Sequence, residues 1–70
     1  MTEYLVIYEM GDNGEWGASS PDLPGCVAVG ETQAEVEQLI REAIPAHIAL
    51  MREVGDPVPE PHHLAGSVAA

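Results

Sequence analysis

The sequence predicts an α+β fold of the order β-β-β-α-(β), with a small antiparallel sheet and one helix packed on it. Three observations predict it. Up to Val29, short runs of β-branched and aromatic residues alternate with corners bearing glycine and proline. From Thr32 the apolar residues recur with a helical period. Then DPVPEP, residues 56–61, stops the pattern with a stiff extended segment.

The first strand is expected over Glu3–Glu9, EYLVIYE. Tyr4, Val6 and Tyr8 fall on one face and Leu5 and Ile7 on the other, so both faces are apolar. A strand of this kind is covered on both sides. Here the expected covers are the helix and a partner subunit. GDNG at 11–14 predicts a hairpin in which Asn13-Gly14 supplies the positive φ values of a type I′ turn. Glu15–Ser20 is the returning strand, anchored by Trp16, and Pro21 ends it because proline has no N–H for the ladder. Cys26–Val29 reads as the third strand.

Thr32 opens the helix. Thr32 and Glu35 have the spacing of a capping box, in which each side chain bonds the other's backbone N–H. The helix is expected to run to about Val54, with Gly55 as a left-handed cap. Val36, Leu39, Ile40, Ala43, Ile44, Leu50, Met51 and Val54 make one apolar stripe. Glu35, Arg41, Glu42, Arg52 and Glu53 lie opposite. Pro45 cannot donate to the carbonyl of Arg41, so one kinked helix is expected, with two helices split near Ile44 as the alternative. Leu64–Ala69 is expected as a last edge strand, or 61–70 as a flexible tail of one domain spanning 1–70.

Composition narrows the function. Seventy residues bury only about 60% of their unfolded surface, so a lone chain is marginally stable. Cys26 is the sole cysteine and has no partner for an internal disulfide, which points to a reducing, cytoplasmic setting. Association with further copies, as a dimer or tetramer, is the remaining route to more burial. The net charge is −10, with no lysine and only Arg41 and Arg52 as basic residues. Phosphate backbones are held by Lys and Arg, so direct nucleic-acid binding is disfavoured, as is an anionic membrane surface. A basic protein would be attracted and steered. No apolar run approaches the ~20 residues that span a bilayer.

The candidate chemistry is thin. Cys26 has no Lys or Arg close in sequence to lower its pKa, and reads as a small core residue. His47 falls near the centre of the apolar stripe, as a core or interface histidine. His62 and His63 lie in a proline-bounded loop. With Cys26 and the carboxylates they form a conceivable zinc set, but the spacing matches no zinc pattern, and adjacent histidines point apart in an extended chain. Asp12, Asp22 and Glu31 are chance candidates among twelve acids, and Ser19 and Ser20 sit in no elbow motif. The glycines match no phosphate-binding fingerprint. No catalytic, cofactor or metal residue is assigned, and an enzyme is not expected.

PDLPGCVAVGET, residues 21–32, is the most distinctive stretch, and VGDPVPEP follows the helix. With the tyrosine-bearing first strand and the aromatic second strand, these segments make the chain resemble the HicB-like antitoxin family over 1–61. The resemblance implies a degraded RNase H-like fold, usually without ribonuclease activity. It implies dimers or tetramers. It also implies a partner, a small basic HicA-type toxin that cleaves mRNA and whose catalytic histidine the antitoxin covers. Many members carry a C-terminal DNA-binding domain that represses the operon; the chain ends at Ala70, which leaves that role in doubt.

The signature positions are Pro21, Asp22, Pro24, Gly25, Gly30, Thr32 and Glu35. They are read as mainly architectural: the prolines pre-set φ, Gly25 permits a turn and Thr32 caps the helix. Asp22, Leu23, Trp16 and His47 are the candidates for partner contact, the first two as exposed residues of the corner. The leading expectation is an antitoxin-type binding module. The alternative is a solitary homo-oligomeric domain without a toxin. A residual hydrolase is a third reading and requires several carboxylates converging on one divalent metal.

Overall fold

The computed structural model describes residues 3–70. Strands β1 (Ile7–Met10), β2 (Trp16–Ser19) and β3 (Val27–Gly30) form an antiparallel sheet in the order β1-β2-β3, and helix α1 (Gln33–Glu53) packs on β2 and β3. This is the expected α+β order. The expected fifth element is absent: residues 64–70 form no strand, and Leu64 and Val68 are exposed. Alanine, Gly66 and Ser67 offer too little side chain there to pack.

The first strand is shorter than its composition suggests. Ile7 pairs with Ser19, so residues 4–6 would have to pair with 20–22. Pro21 lacks a donor there, and the chain turns away at Ser20, whose carbonyl accepts the Leu23 N–H at 3.1 Å. Tyr4, Leu5 and Val6 are half-buried outside the ladder. The hairpin also differs from the type I′ expectation. Only Gly14 has positive φ, at 83°, and Asn13 does not. The Gly14 N–H donates to the Gly11 carbonyl at 3.0 Å, and the Gly11 N–H to the Glu15 carbonyl at 2.7 Å. That is a three-residue loop whose last residue is left-handed. Asn13 contributes its side chain instead, accepting the Glu15 N–H at 3.1 Å.

The 21–26 corner is two consecutive turns. After Ser20–Leu23, the Cys26 N–H donates to the Leu23 carbonyl at 3.1 Å. Pro24 holds the second position of that turn and Gly25, with φ 86°, the third. A type II turn demands positive φ there.

Thr32 caps α1 in extended conformation, its hydroxyl accepting the Glu35 N–H at 3.1 Å. The reciprocal half of the expected capping box is displaced by one residue: the Glu35 carboxylate accepts from the Glu31 N–H at 3.4 Å. The helix runs unbroken through Pro45. Both Pro45 and Arg41 are exposed, so the carbonyl that proline leaves unpaired lies on the side open to solvent. At the far end the Asp56 N–H reaches the Met51 carbonyl at 2.8 Å, and the Gly55 N–H reaches Arg52 at 3.3 Å. With Gly55 at φ 81°, this is a Schellman cap.

The core consists of Ala18, Leu23, Cys26, Val36 and Ile40, flanked by half-buried residues that include Tyr8, Trp16, Ile44, Ile48 and Met51. Three members of the expected stripe are exposed: Leu39, Leu50 and Val54. Leu39 sits at the stripe's flank. Leu50 borders a groove at the flank of β3 and Val54 follows the end of the helix, which at 21 residues and about 31 Å outruns a four-residue strand of only about 13 Å. Ile48 is recruited in their place. It lines a cleft with Tyr4, Ile44 and Pro59, which the Tyr4 hydroxyl closes by donating to the Pro59 carbonyl at 2.7 Å. That bond ties the 56–61 segment to the N-terminal segment.

Candidate functional site

Two features of the fold are available for function: the 20–26 corner with what docks on it, and the sheet face turned away from the helix.

At the corner, Asp22 and Leu23 are only 2% and 1% exposed. This corrects the expectation that they stand open to a partner. Leu23 enters the core. Asp22 is covered because the segment beyond Pro61 folds back over it. Its Oδ1 accepts the His62 backbone N–H at 3.2 Å and the His63 Nδ1–H at 2.7 Å. The His62 Nδ1 also lies 2.7 Å from Oδ1, while donating to the Glu60 carbonyl at 3.1 Å. Burial by itself pushes the carboxyl pKa up. The His63 hydrogen bond, the His62 N–H and the two imidazole charges outweigh it, and the group sits below the ordinary 3.8. The other oxygen, Oδ2, is buried without a hydrogen-bond partner among the described residues, as is the Ser20 hydroxyl.

The two imidazoles do not point apart. Their centroids are 4.4 Å apart with a 44° tilt, and both rings turn toward Asp22. Asp22, His62 and His63 each offer one ligand atom, all within 4.8 Å. Cys26 does not join them. It is buried in the core, where desolvation pushes its thiol up from the ordinary 9.0. From the sequence, His62 and His63 are conceivable metal ligands set aside on spacing; what sequence reasoning missed is that Asp22 joins them. They are 40 and 41 residues from it, and no local pattern encodes that pairing.

On the sheet, Ile7, Ser19 and Val27 form one row of the outer face, and Glu9, Gly17 and Val29 the next. Val27 and Val29 are 63% and 62% exposed and Ile7 is 42% exposed. The helix covers the other face. A shallow depression of about 230 Å³ runs across the outer rows. Trp16 is half-buried against the core, and His47, also half-buried, lines a groove with Gly25, Cys26 and Leu50 beside β3.

Among the described residues the acids do not converge on one point. The single group of three or more potential metal ligands among these residues contains one carboxylate. Nor is any helix of the described residues long and apolar enough to cross a membrane.

Comparison with known proteins agrees with the sequence resemblance. Residues 4–70 match the HicB_like antitoxin of bacterial toxin–antitoxin systems. The chain is also similar to a UPF0150 protein of Thermoplasma acidophilum, at 33% identity over 57 residues, covering 81% of this chain and 83% of that protein.

Proposed function

Because the chain belongs to the HicB-like antitoxin family of bacterial toxin–antitoxin systems, we propose that it acts in the cytoplasm, without catalysis, by holding a small basic HicA-type toxin. Residues 1–70 would serve as one binding domain. The observation that carries the reading is charge. The chain bears −10, and one of its two arginines, Arg41, is already paired with Glu37 at 3.1 Å. A surface so short of cations is matched to a basic protein, and the excess acid accelerates encounter and penalises acidic competitors.

The outer sheet face supports a second reading, self-association. Ile7, Val27 and Val29 are exposed apolar residues of this face, separated by Ser19 and Gly17 of the central strand, and the helix leaves them uncovered. A second copy would bury them and add the core that so short a chain lacks. The two readings are compatible: a dimer or tetramer built on the sheet would present its acidic helices outward.

The test is a pull-down of the tagged protein from its native cytoplasm, with the mass of the free protein determined in parallel. Recovery of a small basic protein in fixed ratio, identified by mass spectrometry and released at high salt, supports the antitoxin reading. A homo-oligomer with no partner at any salt concentration supports the solitary alternative and removes the first.

A further inference from the structure

We propose that Asp22, His62 and His63 form a binding site for a divalent transition-metal ion of the zinc class. The donor set is the first argument. Two imidazoles and one carboxylate suit Zn²⁺, Ni²⁺ or Cu²⁺, whereas Mg²⁺ and Ca²⁺ prefer all-oxygen shells. Three protein ligands leave a fourth position to water.

The second argument is the state of Asp22. Its side chain is fully buried, yet Oδ2 has no hydrogen-bond partner. An unpaired buried acceptor costs about 1–3 kcal/mol. A cation bound by this carboxylate compensates it beyond what the two histidines supply, since both crowd Oδ1 alone.

The third argument is pre-organisation. Pro59 and Pro61 stiffen the approach, Tyr4 holds the Pro59 carbonyl, and the His62 N–H fixes the backbone on Oδ1. The histidines therefore sit at the carboxylate before any ion arrives. Both rings remain exposed, so an ion reaches them from solvent with small rotations and is bound through Nδ1 of each neutral ring, whose proton then sits on Nε2, any second proton passing to water.

Simple docking of the C-terminal segment by Asp22 needs the His62 backbone N–H but not the His62 ring. That difference makes the inference testable. Tag-free protein, stripped with chelator, is titrated with ZnCl₂ by calorimetry, and with CoCl₂ by visible absorption. The wild type is expected to bind one Zn²⁺ per chain and to melt at a higher temperature with zinc, with no competition from excess Mg²⁺. His62→Ala keeps the backbone bond and the His63 bond, so its metal-free melting temperature stays at the wild-type value. Its zinc affinity falls by more than about 100-fold, beyond the roughly 10–100-fold that loss of an outer-shell contact costs. His63→Ala loses the ion as well. Unchanged zinc affinity in His62→Ala, displacement by Mg²⁺, or a thiolate–cobalt charge-transfer band implicating Cys26 each overturns the proposal.

Discussion

Gly25 is where the signature corner can be tested most sharply. It holds φ 86° at the third position of the Leu23–Cys26 turn, and a Cβ built there meets no atom within 4 Å. The cost of a side chain is therefore conformational and not a clash. An L-residue in left-handed backbone loses roughly 1–2 kcal/mol, offset in part because alanine also restricts the unfolded chain by about 0.4–1 kcal/mol. Gly25→Ala should cost roughly 1 kcal/mol net, which lowers Tm by about 4–8 °C in a domain of this size. Gly25→Asn should cost less, since asparagine tolerates this region, and Gly25→Val more, since a β-branched residue does not. The assay is thermal unfolding by circular dichroism at one fixed protein concentration, because association shifts Tm. Equal Tm values for glycine and alanine, or an asparagine variant as damaged as the valine one, would refute the reasoning. A valine variant with normal Tm that no longer binds its partner would make the corner a contact surface and not an architectural device.

Gly30→Ala is a steric counterpart. Its Cβ would lie 3.1 Å from the Val36 Cγ1 and 3.0 Å from the Glu35 Cδ. Glu35 can swing aside but Val36 is fully buried, so a cost of about 1–3 kcal/mol is expected by denaturant titration. Val27→Asp with Val29→Asp should leave monomer stability within about 1 kcal/mol, as both side chains are exposed, while lowering the mass seen by light scattering if copies meet on this face. Cys26 should alkylate slowly in the native protein and fast in denaturant. Its folded thiol is raised above 9.0 by burial, so the unfolded chain ionises first as pH rises. The stability linked to Cys26 is present below that value and declines as pH climbs past it, which urea melts across pH 8–10.5 can follow.

The parts of the fold that were legible are those written locally. Thr32 with Glu35, Gly55 after the helix, Pro21 after β2 and the 3.6-residue period each act within a few positions, and each element they mark is present. The misreadings share one cause. Whether residues 4–6 join the sheet depends on what β2 can offer beyond Ser19, and that depends on Pro21. Whether Leu50 and Val54 are buried depends on how long the sheet is, not on the helix's own pattern. The tight loop at 11–14 shows the same limit at short range: Asn-Gly permits several hairpins, and the strand register selects a single left-handed residue, Gly14.

Asp22 is the extreme case of this dependence on distant chain. An aspartate between two prolines in a turn reads as a solvated residue, because Asp commonly stabilises turns through its own backbone. Here one of its oxygens, Oδ1, is claimed by residues far along the chain, and burial follows from that claim, not from hydrophobicity. The backbone N–H of any residue at position 62 could satisfy Oδ1. What the particular residues His62 and His63 add is two imidazoles facing an anion whose second oxygen has nothing to bind. A docking role accounts for the His62 backbone contact and the His63 hydrogen bond and does not need the His62 ring at Oδ1. A metal ligand set gives that ring a role with one ion, which is why the His62 ring is the side chain on which the two accounts separate.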